Sequence, residues 1–309
     1  MPITRRDALM AGVGAGIAAS LGGASVAFAQ GKQPILKRIP SSGETIPPVG
    51  IGTNRYGVGT AEADRAPLRA TMKRFVEVGG KVMDTASIYG TSEVVIGDLA
   101  TELGIRDDLF ISTKTDIRGQ VRGETGLQTA LTRLKGDMID VMLVHNLVNA
   151  ATEIPVMREW QTAGKFRYIG ASISTLDQFE DMERFMKSND VQVVQFNYSL
   201  GDRKAAERLL PTALDRGIAV MVNVPFGGGQ SSHFDVVGER PLPEWAAEFD
   251  AATWSQFFLK YIISHPGVTC AIPGTRRVEY VDDNFAAAFG RLPDEALRKR
   301  QEQLFDSFG

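Results

Sequence analysis

Asp84, Tyr89, Lys114 and His145 are the residues of this chain best suited to chemistry, and each lies at or beside the end of a short apolar run. Val82–Met83 leads into Asp84, Leu109–Ser112 into Thr113-Lys114, and Met138–Val144 into His145. An acid, a phenol, an amine and an imidazole gathered in one pocket can pass a proton to or from a substrate oxygen. Tyr89 is the natural acid, because a phenol both gives and takes a proton at an alkoxide-like oxygen. Its free pKa of about 10 is high for exchange near neutrality. A Lys114 cation beside it is expected to favour the phenolate and lower that value, with Asp84 holding the ammonium in place. His145 is placed to donate a hydrogen bond to a carbonyl oxygen and orient it. Taken singly, each has a bland alternative. Asp84 can cap a helix, Tyr89 can be a packed aromatic, Lys114 a solvated loop charge, and His145 a satisfied core imidazole.

Four such groups meet only if strands deliver them to one face. Strand-like runs begin near Val49, Lys81, Leu109, Ile139, Arg167, Val191, Ile218 and Val268. Helical patterns fill the gaps, among them Ala66–Val78, Glu93–Leu103, Gly126–Leu134, Glu153–Ala163, Leu176–Met186 and Ala205–Leu214. Gly79, Gly104, Gly164, Asn189 and Gly217 follow these helices as C-cap chemistry prefers. Eight strand–helix alternations with short loops predict an α/β fold of the closed (β/α)8 barrel type, in which strand carboxyl ends converge on one face. A doubly wound open sheet is the competing architecture. It usually carries a G-x-G-x-x-G turn after its first strand, and none follows Val49–Gly52. Ahead of the barrel, Ile35–Ile39 and Thr45–Val49 flank Ser41-Ser42-Gly43-Glu44, a turn composition that predicts a β-hairpin.

The segment Gly80-Lys81-Val82-Met83-Asp84-Thr85-Ala86-Ser87-Ile88-Tyr89-Gly90, followed by Ser92-Glu93 and Gly97, resembles the first signature of the aldo/keto reductase family. Leu131 through His145 is similar to its second. The resemblance runs from about residue 34 to 300, nearly the whole chain after its leader, and keeps all four role residues in order. It implies a barrel that reduces an aldehyde or ketone reversibly, with Asp84, Tyr89, Lys114 and His145 as the catalytic set. The hydride must come from a nicotinamide nucleotide, because no side chain supplies one. By the same resemblance, Ser172 and Gln195 hold the carboxamide of nicotinamide. Two positions depart from the family: Ile173 stands where many members have asparagine, and Asn223-Val224-Pro225-Phe226-Gly227 replaces a tyrosine–serine–proline run. The ring that commonly stacks on nicotinamide is therefore missing at Asn223, and Phe226 is the nearest aromatic candidate to replace it.

Ala271-Ile272-Pro273-Gly274-Thr275-Arg276-Arg277 leads into Val278–Asn284. Backbone amides and the positive end of a helix dipole make such a start attractive to phosphate, which brings Gly274 and Thr275 into the cofactor site. Arg276 and Arg277 suit a 2′-phosphate through charge-assisted bonds, so NADP is expected over NAD. The resemblance assigns adenine to Asn284, while Tyr280 occupies a place where many members carry a phosphate-binding arginine. Two arginines decorating a surface helix are the alternative.

A chain of 309 residues with 43% hydrophobic content supports one large domain, here residues 30–309. Its 34 basic and 37 acidic residues give no reason to expect nucleic acid. Cys270 is the only cysteine, which excludes an intramolecular disulfide and a cysteine-type zinc site; it reads as a small buried strand residue. The three histidines share no ligand spacing, and no metal is predicted. Residues 1–29 read as an address. Arg5-Arg6 opens a twin-arginine (Tat) signal, a glycine- and alanine-rich stretch follows, and Ala27-Phe28-Ala29 offers a cleavage site before Gln30. An uncleaved anchor is the alternative, but Gly12, Gly14, Gly16, Gly22 and Gly23 make the stretch a poor spanning helix, and no cysteine offers a lipid anchor. The expected partners are the Tat machinery and a small carbonyl substrate, with a periplasmic or otherwise exported location. Gly227-Gly228-Gly229 lacks the lysine and hydroxyl residue of a P-loop and opens a glycine-, serine- and proline-rich stretch to Pro243, expected to cover the site as a loop. His233 in it reads as a solvated histidine or a substrate contact. Trp245, Trp254, Phe257, Phe258 and Tyr261 read as helix packing, and His265-Pro266-Gly267 as a helix terminator. A nucleotide-binding module without catalysis is the other functional class, and the intact set of four favours catalysis.

Overall fold

Strand residues here alternate between two environments, and that alternation builds the barrel. The computed structural model describes residues 33–115, 123–228 and 232–309. The expected export signal, residues 1–29, lies outside the described residues, as do residues 229–231 of the glycine-, serine- and proline-rich stretch. Eight strands pair in parallel in chain order: β3 (Ile51–Gly52), β4 (Val82–Asp84), β5 (Phe110–Thr115), β6 (Ile139–Val144), β7 (Phe166–Ser172), β8 (Val193–Asn197), β9 (Ala219–Asn223) and β10 (Cys270–Ala271). Parallel bridges Val49–Ala271 and Gly52–Gly274 join the last strand to the first and close the ring. Alternate residues face the lumen: Val82, Phe110, Val141, Leu143, Tyr168, Val193, Met221, Cys270 and Ile272 form one buried cluster inside it. Their outward neighbours, such as Met83, Ile111, Met142 and Ile169, join the second cluster beneath the helices. The expected barrel is thus observed, and Cys270 is a buried strand residue inside it.

The hairpin plugs the barrel at the strands' amino ends. Lys37–Arg38 (β1) and Thr45–Ile46 (β2) pair antiparallel, and Ile39 and Ile46 belong to the lumen cluster. Glu44 in its turn accepts a 2.6 Å hydrogen bond from the Tyr168 hydroxyl and one of 3.0 Å from Arg167. Arg167 also donates to Asp140 at 2.8 Å, so the plug is tied to β6 and β7 by charge as well as apolar burial. A cavity of about 520 Å³ lies at this end, lined in part by Glu44, Lys81, Arg106, Asp140 and Arg167. It includes none of the residues with candidate chemical roles.

Helices cover the ring. In α1 (Glu62–Glu77), Leu68, Thr71, Met72 and Phe75 are the buried positions, the spacing of one helical face. α2 (Ser92–Leu103) packs so closely on α3 (Gly123–Leu134) that a Cβ at Gly97 would lie 2.1 Å from the Arg133 carbonyl oxygen, which explains glycine in that motif. Gly79, Gly104, Gly164 and Gly217 all adopt positive φ after their helices, as C-caps. Asn189 does not; it is extended at φ −122°, and its side chain donates to the Phe185 carbonyl instead. The stretch expected to cover the site as a loop folds in part. Ser232 makes a capping box for α7 (His233–Val237), and just beyond the stretch, after Pro243, a 3-10 turn spans Glu244–Phe249. His233 is buried rather than solvated: its Nε2 accepts from the Gly201 amide at 3.2 Å, and its ring packs on Phe258 and Phe305. Burial lowers its pKa to about 4, so it serves as a neutral acceptor in the helix layer. Trp245, Trp254, Phe257 and Phe258 pack together around α8 (Trp254–Ser264), as their spacing predicts. Among the described residues, no helix is long and apolar enough to cross a membrane.

Candidate active site

At the carboxyl ends of the strands the lumen changes from apolar to polar within one residue pair. Val82 points inward among apolar neighbours, and Asp84, two residues on, points inward where charge begins. Phe110, Ser112 and Lys114 repeat the step on β5. Asp84 and Lys114 are 3% and 2% exposed, and the Lys114 Nζ lies 2.6 Å from Asp84 Oδ2. Nζ also donates to the Thr85 carbonyl at 2.7 Å. The other carboxylate oxygen, Oδ1, accepts from Ser112 Oγ and from Gln195 Nε2, each at 2.9 Å. A buried charge pair keeps its geometry only when its remaining lone pairs and protons are satisfied, and here several hydrogen bonds do so. Behind it, buried Glu93 accepts from Thr113 Oγ1 at 2.7 Å and pairs with Arg133 at 3.2 Å. Burial pulls the Lys114 pKa below its ordinary value, and the charge and hydrogen bond of Asp84, followed by the charge of Glu93, oppose that fall.

Tyr89 lies over this pair. Its ring centroid is 5.7 Å from the Lys114 Nζ and 6.4 Å from the His145 ring, which meets it edge-on. The turn carrying it is held by hydrogen bonds from the Ser87 amide to Lys114 and from the Tyr89 amide to Ala86. Gly57 packs on the same turn, where a Cβ would come within 2.5 Å of the Tyr89 carbonyl oxygen. The electrostatics differ from the sequence-based expectation. Burial first, and the Asp84 charge second, push the Tyr89 pKa up rather than down. The Lys114 cation is largely neutralised by Asp84 at contact distance, so little of its field is left to favour a phenolate. Tyr89 therefore holds its proton at neutral pH.

His145 directly follows β6 and is buried. The residues after it take unusual backbone angles: Asn146 at φ 52°, Leu147 at φ 58° and Asn149 at φ 56°. Left-handed backbone at a non-glycine residue is costly, least so for asparagine, and tends to mark functional segments. Ser174 Oγ donates to Asn146 Oδ1 at 2.9 Å and Gln178 Nε2 to the Asn146 carbonyl at 3.1 Å, which hold this turn against the end of β7.

The residues expected to hold a nicotinamide nucleotide form two groups. Ser172 and Gln195 are paired in register on β7 and β8, and both are buried at the barrel mouth. Gln195 commits its NH2 to Asp84, which presents its carbonyl oxygen as an acceptor. Gly274, Thr275, Arg276, Arg277 and Asn284 lie together around the start of α9 (Val278–Ala286). Gly274, Arg276 and Arg277 are exposed, and no side chain caps the helix. Thr275 and Asn284 are buried and face each other: Asn284 Nδ2 donates to Thr275 Oγ1 at 3.1 Å. Arg277 lies 3.8 Å from Glu279 and 5.7 Å from the Tyr280 ring centroid, so part of its charge is already engaged. Phe226 does not replace the missing ring. It turns away from the mouth and packs on Phe234 and Phe258 at 5.1 and 6.4 Å, because an apolar ring gains more in the aromatic layer than over a polar rim.

Several contributors escaped the motif reading. Ser112 was within reach, since strand alternation places it on the same face as Lys114. Gln195 as a partner of Asp84 was not, because the two lie 111 residues apart in sequence.

Residues 48–303 match the model of the Aldo/keto reductase family. The chain is 29% identical over 263 residues to aldo-keto reductase str7 of Strobilurus tenacellus, covering 71% of this chain and 76% of that protein. It is 28% identical over 258 residues to methylglyoxal reductase YeaE of Escherichia coli (strain K12), covering 81% and 88%. Among solved structures, an aldo/keto reductase from Klebsiella pneumoniae in complex with NADP and acetate shares the fold with a TM-score of 0.73 at 23% identity, covering 87% of this chain and 95% of that one.

Proposed function

Because this chain belongs to the aldo/keto reductase family, we propose that it is an NADP(H)-dependent oxidoreductase that reduces an aldehyde or ketone to an alcohol, reversibly, with Tyr89 as the general acid. The observation that carries this reading is the arrangement around Tyr89. A phenol that keeps its proton lies over the buried Lys114–Asp84 pair, with His145 at its edge. In reduction the Tyr89 hydroxyl donates its proton to the developing alkoxide. The phenolate left behind is disfavoured by burial and by the Asp84 charge, so it is a strong base that readily recovers a proton, with the largely offset Lys114 cation lending it little support. Asp84, fixed by Ser112 and Gln195, keeps the ammonium from moving. His145 donates a hydrogen bond to the carbonyl oxygen and sets its angle to the phenol.

The residues at the mouth fit a nicotinamide nucleotide. Gln195 offers an acceptor, Ser172 beside it offers a hydroxyl, and the uncapped start of α9 carries exposed Arg276 and Arg277 suited to a phosphate. The nucleotide, when bound, supplies the hydride. The K. pneumoniae protein of similar fold binds NADP, which supports that choice here together with the two arginines.

Replacing Tyr89 with Phe keeps the ring and removes only the hydroxyl. Turnover of a carbonyl substrate, followed by NADPH absorbance, is expected to fall about a hundredfold or more while nucleotide affinity barely changes. Near-wild-type turnover in that variant refutes the role. Tight nucleotide binding by the wild type with no turnover of any carbonyl compound favours a non-catalytic module instead.

The location belongs to the same proposal. Arg5-Arg6, the small-residue stretch after it and Ala27-Phe28-Ala29 support Tat export with cleavage after Ala29, leaving residues 30–309 as one barrel domain. The Tat route carries folded proteins, so the barrel takes up its nucleotide in the cytoplasm and leaves as a loaded complex.

A further inference from the structure

Asn223 and Ile173 are the two places where the barrel mouth departs from the family pattern, and they are bonded to each other. Asn223 Nδ2 donates to the Ile173 carbonyl at 2.9 Å. An amide absent from position 173 is thus present at position 223, on the neighbouring side of the mouth, and is anchored on the backbone of the residue that lacks it. Because Nδ2 must face that carbonyl, the orientation of the amide is decided: Oδ1 points the other way. That oxygen is enclosed and meets no donor. A buried carbonyl oxygen without a donor is uncommon and calls for an explanation. The next residue, Val224, sits at φ 52°, a costly angle for a β-branched side chain, as is typical where backbone is shaped by a binding role.

Resting on the nucleotide-binding reading above, we propose that Asn223 is a nicotinamide-anchoring residue whose Oδ1 accepts one N–H of the cofactor's carboxamide. The count of donors and acceptors supports it. A carboxamide offers two N–H donors and one carbonyl acceptor. At this end of the barrel, Gln195 has committed its NH2 to Asp84 and Asn223 its own to Ile173, so each presents a carbonyl oxygen. Ser172, in register with Gln195, has a hydroxyl engaged only by a long 3.5 Å bond to the Val144 carbonyl, which it exchanges for the carboxamide oxygen. Two amide oxygens meet two N–H groups, and one hydroxyl meets one carbonyl. The mouth thereby replaces a stacking ring with a directional bond, and recognition moves from the face of the nicotinamide to its substituent. Asn197 has a similar enclosed oxygen, but its amide is fixed on Ser174, one residue farther from Ser172.

The test is binding, read by quenching of tryptophan fluorescence on the purified protein, with NADP+ and its 3-acetylpyridine analogue. The analogue keeps the ring carbonyl and replaces the NH2 with a methyl group. Wild type is expected to bind NADP+ about tenfold or more tightly than the analogue. Asn223→Leu is expected to lose about tenfold for NADP+ and to change within about twofold for the analogue. Equal losses for both ligands overturn the assignment, since they mean that the leucine disturbs the mouth without removing a specific bond. Should the variant fail to fold, the wild-type comparison stands by itself, and equal affinity for the two nucleotides overturns the proposal. Wild type that binds neither nucleotide overturns the nucleotide-dependent function itself, an outcome distinct from binding both alike.

Discussion

Replacing Lys114 with Met asks how much of the barrel's stability hangs on one buried charge. The substitution keeps an unbranched chain and removes the ammonium that lies 2.6 Å from Asp84. At an effective dielectric of about 20, a contact of that length is worth roughly 6 kcal/mol of attraction, against a desolvation penalty of several kcal/mol for each ion. The intact pair is therefore nearly balanced. Its half is not, because Asp84 stays 3% exposed with its partner gone. Removing one member of a buried pair costs about 3–5 kcal/mol. Here Ser112 and Gln195 still donate to Oδ1, so the carboxylate loses its donor at Oδ2 alone, while the Thr85 carbonyl also loses its donor, and the low end, about 3 kcal/mol, is the minimum cost. With a urea slope of about 3 kcal/mol/M, the unfolding midpoint followed by circular dichroism at pH 7 drops by about 1 M. The double variant Asp84→Asn, Lys114→Met carries no charge and is expected to be the more stable of the two, by about 1–2 kcal/mol. A single variant within about 1 kcal/mol of wild type, or a double variant less stable than the single, refutes the account of a balanced pair held by Asp84's other donors.

Acid is expected to weaken the fold through His233 and His265, whose pKa values burial lowers to about 4. Below the unfolded value of about 6.5 the unfolded chain binds more protons, so stability rises with pH across the window from about 4 to 6.5 and is lost as pH falls through it. For His233 alone this amounts to about 3 kcal/mol, and urea midpoints that fall equally with pH in wild type and in His233→Gln would remove the histidine from the explanation. Replacing Arg276 and Arg277 with alanine should weaken NADP+ binding by about tenfold or more and NAD+ binding little; Glu279 already shares Arg277, so the lower end of charge-assisted values applies. Equal loss for both nucleotides in a titration makes these arginines plain surface charges. For the export proposal, cell fractionation should recover a chain beginning at Gln30 outside the cytoplasm with nucleotide bound, and an exported chain free of nucleotide rejects the loaded-complex route.

The ring of strands was readable from one-dimensional pattern because a parallel barrel needs only local information: apolar runs of strand length, helical faces between them, and glycines such as Gly104 where helices stop. The hairpin was readable for the same reason, through Gly43 and its neighbours. Asp84, Lys114 and His145 could be named because strand ends are marked by the switch from apolar to polar residues, and Tyr89 because it closes the signature that Asp84 opens. What sequence could not settle was the sign of an interaction. Whether Lys114 lowers the Tyr89 pKa depends on how close Asp84 lies to the ammonium and how deeply all three are buried, quantities that exist only after β4, β5 and the turn at Tyr89 are packed together. The fate of single side chains was equally hidden. Phe226 was free to face the mouth or the helices, and the aromatic layer of Phe234 and Phe258 decided it; His233 was free to be solvated until Gly201 arrived to donate to it. Asn223 and Ile173, 50 residues apart, were two separate departures on paper and became one hydrogen-bonded unit in space. Composition and period fix which segments become strands and helices, because those depend on neighbours along the chain. Charge states and partners depend on distances between segments remote in sequence, and only the closed barrel sets those.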